Sequence, residues 1–124
     1  MQLRLKHADA RTLVEVGRTL VAQVGAPVLV NDRLDVALAC GAIGVHLGAD
    51  DLPVDAARRV APAGFVIGTS VGEESEVENA RAADYVGVGP VYATLTKLDA
   101  GEAIGLVRFT ELARQSGRPA VAIG

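Results

Sequence analysis

Short aliphatic runs alternate with stretches of helical spacing along the whole chain, and this alternation limits the possible folds more than any other feature. Because each connection between two runs carries a helix, the sheet they form is expected to be parallel. The predicted strands are residues 2–5, 27–31, 43–47, 65–70, 85–89 and 120–124. The predicted helices are residues 13–24, 34–40, 54–61, 73–83 and 105–116. The pattern indicates an α/β fold of about six parallel strands and five helices.

Glycine and proline mark where the helices end. Gly41 ends the second predicted helix, and Gly117 is the expected C-cap of the last one, with Pro119 shortly after it. In that last helix the spacing predicts inward-facing side chains at Leu106, Phe109, Leu112 and Ala113.

Composition narrows the class of protein further. Half of the 124 residues are apolar but only 3% are aromatic, so the core should be aliphatic, as in sheets covered by helices. The net charge of −3, without any run of Lys or Arg, argues against a nucleic-acid or membrane partner. Cys40 is the single cysteine, which excludes an internal disulfide. No apolar run approaches the roughly 20 residues of a membrane span, and with no signal segment the cytoplasm is the expected location.

Two architectures suit this string of elements. One is a small open doubly wound sheet; the other is part of a (β/α)8 barrel, which normally needs more than about 200 residues. The first predicted strand starts directly after Met1, and the chain stops at Gly124 within a strand. Because a self-contained domain rarely begins and ends inside buried strands, we expect residues 1–124 to form a single partial barrel domain.

The first strand carries an unusual row of polar side chains. A period of two places Gln2, Arg4 and Lys6 on one face and Leu3 and Leu5 on the other. Unpaired buried charge is costly, so packing alone explains this row poorly. An exposed edge strand and a binding site explain it equally well.

Acidic residues follow two consecutive strands. Asn31 ends one strand and Asp32 and Asp35 follow it, and Asp50 and Asp51 come after the next strand. Each group taken alone is typical of a turn or a helix N-cap. Consecutive strands are usually neighbours, however, and two carboxylates at one rim suit Mg²⁺.

Other polar residues give weaker signals. Ser70, at the end of a strand, is either a helix cap or a phosphate ligand. His46 lies in the middle of a strand without a partner carboxylate nearby in the sequence, so we interpret it as a packing residue. His7 and Cys40 carry no site signal. The sequence shows no nucleophile paired with a base and no metal-ligand spacing of His or Cys.

The stretch VGVGPVYATLTK, residues 86–97, alternates valine and glycine before a polar loop. Val86 and Val88 should face the helices, whereas Gly87 and Gly89 should leave space inside a barrel for a ring-shaped ligand. Close packing over the glycines is an equally good explanation. The loop that follows would line such a space with Thr94, Thr96 and Lys97.

Five runs of this chain resemble the thiamine phosphate synthase family and its sister, the thiazole tautomerase-like proteins. The runs are QLRLK, VNDRLDVALACGAIGVHLGADDLP, IGTSV, ADYVGVGPVYATLTK and AIG, in the family's order and spacing. The resemblance implies a (β/α)8 barrel that here lacks its first strand and its last strand and helix. It also implies a transferase that joins hydroxymethylpyrimidine diphosphate to thiazole phosphate, by a Mg²⁺-assisted dissociative reaction that yields thiamine phosphate and diphosphate.

The resemblance also assigns roles to residues, and we regard Lys6, Ser70 and Lys97 as catalytic. It implies that Asp32 and Asp51 bind Mg²⁺. The implied diphosphate contacts are Arg4, Lys6, Ser70 and Lys97. The implied contacts of the pyrimidine and its diphosphate are Gln2 and Asn31, and those of the thiazole phosphate are Thr94, Thr96 and Gly124.

The chain departs from the family pattern at Leu5, Ala49 and Ala93, where the family often has Glu, Gln and Pro. The first two changes reduce polar support for the site. A tautomerase-type isomerase and a non-catalytic remnant remain alternatives to the transferase. Open barrel edges also predict self-association.

Overall fold

Six parallel strands form one sheet, in which each strand lies beside the next one along the chain. The computed structural model describes residues 1–93 and 102–124. The strands are β1 (Gln2–Leu3), β2 (Leu29–Asn31), β3 (Gly44–Leu47), β4 (Val66–Val71), β5 (Tyr85–Val88) and β6 (Ala120–Ala122). The helices are α1 (Ala10–Gln23), α2 (Leu34–Cys40), α3 (Val54–Val60), α4 (Val77–Ala80) and α5 (Gly105–Ser116). A short 3₁₀ helix, Glu74–Glu76, precedes α4.

The strand order decides between the two predicted architectures. A doubly wound sheet reverses its strand order at a switch point, whereas here the order runs from β1 to β6 without reversal. The sheet also curls, because Gln2 of β1 and Val121 of β6 line the same cavity. The expected arc of a (β/α)8 barrel, with parallel strands, is therefore confirmed.

The strict alternation of side chains separates a helix-covered surface from an inner surface. Val45, Ile67 and Val86 are fully buried and point towards the helices. Two apolar clusters lie there, one under α1 to α3 and one under α4 and α5. Phe65 is the only aromatic residue among the buried core residues that the structure describes, in agreement with the expected aliphatic core.

Helix ends mostly follow the predicted signals. Gly41 and Gly117 cap α2 and α5 with positive φ angles of 76° and 62°, a conformation that glycine adopts without steric cost. The helix predicted over residues 73–83 is much shorter. A capping box between Glu73 and Glu76 first closes the 3₁₀ turn, and only Val77–Ala80 are α-helical.

One inward-facing prediction is wrong. Leu106 is 62% exposed, although Leu112 is fully buried and Phe109 and Ala113 pack against the same cluster. Ile104, just before α5, packs against that cluster too. Ile104 therefore supplies the apolar contact at the start of the helix that the spacing assigned to Leu106.

Within the part of the chain that the structure describes, no helix has both the length and the apolar character needed to cross a membrane.

Candidate active site

A cavity of about 830 Å³ opens inside the curl of the sheet, at the carboxyl ends of the strands. All the predicted site residues that the structure describes line it: Gln2, Arg4, Lys6, Asn31, Asp32, Asp51, Ser70 and Gly124. The remaining predicted site residues, Thr94, Thr96 and Lys97, lie outside the described residues. The six strands therefore bring separate stretches of sequence to one rim, where barrel proteins keep their active sites.

The row of polar side chains at the start of the chain lies along one wall of this cavity. Leu3 is buried on the opposite face, with 6% exposure, and Gln2, Arg4 and Lys6 line the cavity. The period of two holds only in part, because β1 ends at Leu3 and Leu5, expected on the same face as Leu3, is 44% exposed. The Nε atom of Arg4 is buried and has no hydrogen-bond partner among the described residues. A buried donor without a partner is costly, so packing alone does not explain this position of the Arg4 side chain.

Asp32 lies in a strained turn at the end of β2. Its φ angle is 64°, and it is the only non-glycine residue with a positive φ in the described part of the chain. The amide of Arg33 donates a 2.7 Å hydrogen bond to the carbonyl of Asn31, which closes a γ-turn centred on Asp32. The Asp32 amide donates at 2.8 Å to the carbonyl of His46 on β3. Neighbouring strands therefore hold Asp32 in an unfavourable conformation at the cavity rim, as is common at functional sites.

Asp51 is positioned by the loop after β3. One oxygen of its carboxylate, Oδ2, accepts a 2.7 Å hydrogen bond from the amide of Gly48. A Cβ atom at residue 48 would lie only 3.1 Å from this oxygen, so glycine allows the close approach. The carboxylate is thereby held at the cavity beside Asp50.

The acidic residues do not act as helix caps, which was the alternative explanation for both groups. The N-cap residues of α2 and α3 are Arg33 and Pro53, and neither of these two side chains makes a cap hydrogen bond. Asp35 instead forms an exposed ion pair with Arg33, with 2.6 Å between the Asp35 Oδ2 and Arg33 Nη2 atoms. This guanidinium holds the pKa of the Asp35 carboxyl below its ordinary value.

The donor set fits a magnesium ion better than a metal ligated entirely by protein. No group of three or more His, Cys, Asp or Glu side chains able to hold a metal occurs among residues 1–93 and 102–124. The carboxylates of Asp32 and Asp51 line the same cavity as the cationic wall. Mg²⁺ typically takes one or two carboxylates and completes its coordination with water and substrate phosphates, so these residues suit it.

His46, which we interpreted from the sequence as a packing residue, also lines the cavity. Its side chain lines the cavity, with Nδ1 2.9 Å from the hydroxyl oxygen of Tyr85 and Nε2 3.1 Å from Oγ of Ser70. Tyr85 lines the cavity too, and its burial raises the pKa of its hydroxyl. His46 lies between Val45 and Leu47, which are buried on the helix-covered face, so the alternation of a strand places His46 on the inner face. This alternation was the signal that could have identified it.

Gly68 makes the contact between His46 and Tyr85 possible. In the strand register His46 lies beside Gly68, and Gly68 lies beside Tyr85. A Cβ atom at residue 68 would lie 2.1 Å from the Tyr85 ring. Because this side chain is missing, the two rings meet across β4 with their centroids 5.5 Å apart.

The glycines of β5 serve close packing as well as bordering the cavity. Val86 and Val88 are fully buried against the helices, and Gly87 and Gly89 line the cavity, as predicted. However, a Cβ atom at Gly87 would lie 3.2 Å from His46, and one at Gly89 would lie 2.3 Å from the carbonyl oxygen of Ile123. At Gly89 the close-packing explanation therefore holds, and the interior beside the glycines is only partly open.

Fold and cavity together define a (β/α)8-barrel protein with its site at the carboxyl ends of the strands. Residues 1–124 match the family model of thiamine monophosphate synthase (TMP-TENI), and the chain belongs to this family.

Individual relatives give the same result. The chain is 49% identical to a thiamine-phosphate synthase of Methanospirillum hungatei, over all of this chain and 63% of that protein. It is 46% identical to one of Archaeoglobus fulgidus, over all of this chain and 60% of that protein. A solved structure, thiamine phosphate pyrophosphorylase from Pyrococcus furiosus, superimposes with a TM-score of 0.80 at 38% identity, covering 99% of this chain and 60% of the other. The chain thus spans about three fifths of the length of these relatives.

Proposed function

We propose that this chain carries the diphosphate-binding part of a thiamine phosphate synthase, which transfers a hydroxymethylpyrimidine group from its diphosphate to thiazole phosphate. Membership of the family supports the type of reaction. The observation that carries the proposal is that two cationic side chains, Arg4 and Lys6, line the same cavity as the carboxylates of Asp32 and Asp51. Such a cavity suits a ligand with several anionic oxygens.

In the proposed reaction the side chains of the cavity hold the leaving group rather than attack the substrate. The bond between the pyrimidine methylene carbon and the diphosphate oxygen breaks, its electron pair leaves with the diphosphate, and the thiazole nitrogen then bonds to the methylene cation. Arg4, Lys6 and the Ser70 hydroxyl donate hydrogen bonds to the diphosphate. Hydrogen bonds to charged groups are each worth about 1.5–3 kcal/mol, and they strengthen as negative charge develops on the leaving group.

Three further groups of residues complete the proposed site. Asp32 and Asp51 would hold Mg²⁺, which when bound neutralises charge on the diphosphate. The amides of Gln2 and Asn31 orient the pyrimidine and its diphosphate. The apolar side chains of Val121 and Ile123, which line the same cavity, limit the access of water to the cation.

The thiazole phosphate is assigned to the last strand and to the loop after β5. We propose that the Thr94 and Thr96 hydroxyls and the Gly124 amide bind this phosphate, and that Lys97 joins the diphosphate contacts. Gly124 lines the cavity, whereas the resemblance of the sequence alone supports the roles of the other three.

The proposal is tested by calorimetric titration of the chain with inorganic diphosphate, with and without Mg²⁺. Binding should require Mg²⁺ and weaken at least tenfold in Asp32→Asn, which removes the charge but keeps a residue that tolerates positive φ. The matched control is Asp55→Asn, because Asp55 is an exposed carboxylate on α3 paired only with Arg59 among the contacts described. A folded chain that binds no diphosphate would refute the transferase and leave the tautomerase-type isomerase or the non-catalytic remnant.

We also propose that the chain, as a 124-residue polypeptide, associates with a second copy through its open sheet edge. Every residue of β6 is exposed, and Val121 is 53% exposed. An unpaired edge beside exposed apolar side chains favours pairing with another strand. Sedimentation velocity should show a mass that rises with concentration, and a strictly monomeric chain at high concentration would contradict this.

A further inference from the structure

The three-residue network of Tyr85, His46 and Ser70 joins strands β3, β4 and β5 at the wall of the cavity. His46 is 8% exposed and lies between the other two side chains, within hydrogen-bond distance of both hydroxyl groups. The reaction proposed above uses Ser70 but gives no role to His46 or Tyr85.

The direction of the two hydrogen bonds determines what Ser70 offers to a ligand. If Tyr85 donates to Nδ1, then Nε2 carries the proton and donates to Ser70 Oγ, which leaves the Ser70 proton to point elsewhere. If the bonds run the other way, Ser70 donates its proton to His46 and presents only lone pairs to the cavity. Only the first arrangement lets Ser70 donate to an anion.

Acid strength favours the first arrangement. A phenol is a stronger hydrogen-bond donor than a serine hydroxyl, and a neutral imidazole nitrogen is a stronger acceptor than a phenol oxygen. The stronger donors and acceptors are therefore paired when the Tyr85 hydroxyl donates to Nδ1 of His46 and Nε2–H of His46 donates to Oγ of Ser70. Burial of Tyr85 keeps its hydroxyl protonated and thus able to donate.

We propose that Tyr85 and His46 are positioning residues that hold the Ser70 hydroxyl with its proton directed into the cavity, where it donates to a diphosphate oxygen. This inference rests on the proposed function of the site, because it concerns the ligand of Ser70.

The backbone around the network is built to hold these three side chains in place. Gly68 leaves the space in which the Tyr85 ring crosses β4, and Gly87 lies against His46, where an added Cβ would be 3.2 Å from Cε1. Ser70 and Gly87 are neighbours in the strand register. His46 therefore has little freedom to rotate, so the tautomer that Tyr85 selects determines the orientation of Ser70.

The tautomer of His46 can be measured directly. The chain has two histidines, and His7 is exposed, so the variant His7→Gln leaves His46 as the only imidazole signal. Two-bond ¹H–¹⁵N correlation spectra at about pH 8.5, where an imidazole is normally neutral, distinguish the two tautomers. We expect the Nε2–H form in the ligand-free chain, and a loss of this preference in Tyr85→Phe. The Nδ1–H form in the unmodified network would overturn the proposal.

A double-mutant cycle then tests whether Tyr85 acts through Ser70. Tyr85→Phe removes only the hydroxyl and should weaken Mg²⁺-dependent binding of inorganic diphosphate about threefold to tenfold, within the range of a single hydrogen bond. In a Ser70→Ala background the same change should have no further effect. Equal effects of Tyr85→Phe in both backgrounds would overturn the proposed positioning role of Tyr85 and His46, even if the tautomer is as expected.

These outcomes distinguish the positioning role of Tyr85 and His46 from the function on which it rests. A folded, unmodified chain that binds no diphosphate refutes the proposed function, and with it the donor role of Ser70. A chain that binds diphosphate but shows the Nδ1–H tautomer refutes the positioning role alone. So does a chain in which the effects of Tyr85→Phe and Ser70→Ala on diphosphate binding are additive. Because the tautomer is measured without altering the network, this arm does not depend on the folding of Tyr85→Phe or Ser70→Ala.

Discussion

The strained turn at Asp32 predicts that glycine will stabilise the chain more than alanine at this position, the reverse of the usual order. Both Asp32→Gly and Asp32→Ala remove the carboxylate and every contact it makes, so these losses cancel in the comparison. What differs is the backbone, which has a φ angle of 64° at this residue. In this left-handed region an alanine is strained, whereas a glycine is not.

The size of the difference follows from two opposing effects. The left-handed conformation costs an ordinary residue about 1–2 kcal/mol. Glycine gains more freedom in the unfolded chain, which favours alanine by about 0.4–1 kcal/mol. Asp32→Gly should therefore be more stable than Asp32→Ala by about 1 kcal/mol, which corresponds to about 4 °C in melting temperature for a chain of this size.

Urea denaturation of both variants measures this difference, and Asp55 supplies the matched control. Asp55 lies in α3, where alanine should be more stabilising than glycine, as is usual in a helix. The free energy of unfolding of Asp55→Ala should therefore exceed that of Asp55→Gly by up to about 1 kcal/mol. Both Asp32 variants should lose Mg²⁺-dependent diphosphate binding to the same extent. An Asp32→Ala chain at least as stable as Asp32→Gly would show that the γ-turn does not hold this residue at positive φ.

Two further predictions concern stability away from the site. Burial opposes the ionisation of Asp84, but hydrogen bonds from Arg58 and the Ile67 amide prevail and lower the pKa of the Asp84 carboxyl. This stabilisation is therefore present above the ordinary aspartate pKa of about 4 and is lost as the pH falls through the lowered value. Asp84→Asn should cost about 1 kcal/mol of unfolding free energy at pH 7, and this cost should shrink in acid when urea midpoints are compared. A cost that does not change with pH would contradict this explanation. Gly17→Ala would place a Cβ 2.8 Å from Cys40 Sγ and should destabilise the chain by about 1 kcal/mol, because overpacking exceeds the gain in helix propensity. A Cβ atom at residue 25 would have no described atom within 4 Å, so Gly25→Ala should stabilise the chain slightly. If Gly17→Ala and Gly25→Ala shifted the melting temperature in the same direction, the packing argument would be refuted.

The architecture of the sheet was predictable because two periodicities are plain in the sequence. Strands such as Val66–Val71 alternate with helices such as Gly105–Ser116, and an uninterrupted alternation requires parallel strands. Exact ends were less predictable where a side chain competes with the helix. Glu76 bonds the amides of Gly72 and Glu73, and this local closure replaces the first turn of the helix expected there.

The cavity-lining residues were predictable to the extent that each follows the end of a strand. Arg4 and Asp51 could be assigned to one rim because the carboxyl ends of parallel strands meet there. The sequence gives no sign that the Arg4 Nε is buried without a partner among the described residues or that Asp32 has a positive φ. The Asp32 amide bonds the carbonyl of His46 on the next strand, and a contact between stretches distant in the chain leaves no local pattern.

The cavity position of His46 was not predictable from nearby carboxylates, because it has none close to it in the sequence. Two of its contacts are hydroxyl groups on the two following strands, and Tyr85 reaches it because the intervening position in the register is Gly68. A glycine on the inner face of a strand thus has two opposite uses: it leaves room for a ligand, or it lets side chains from both neighbouring strands meet. Since Gly68 does the second, the IGTSV run supplies both Ser70 and the gap through which Tyr85 reaches the histidine beside Ser70.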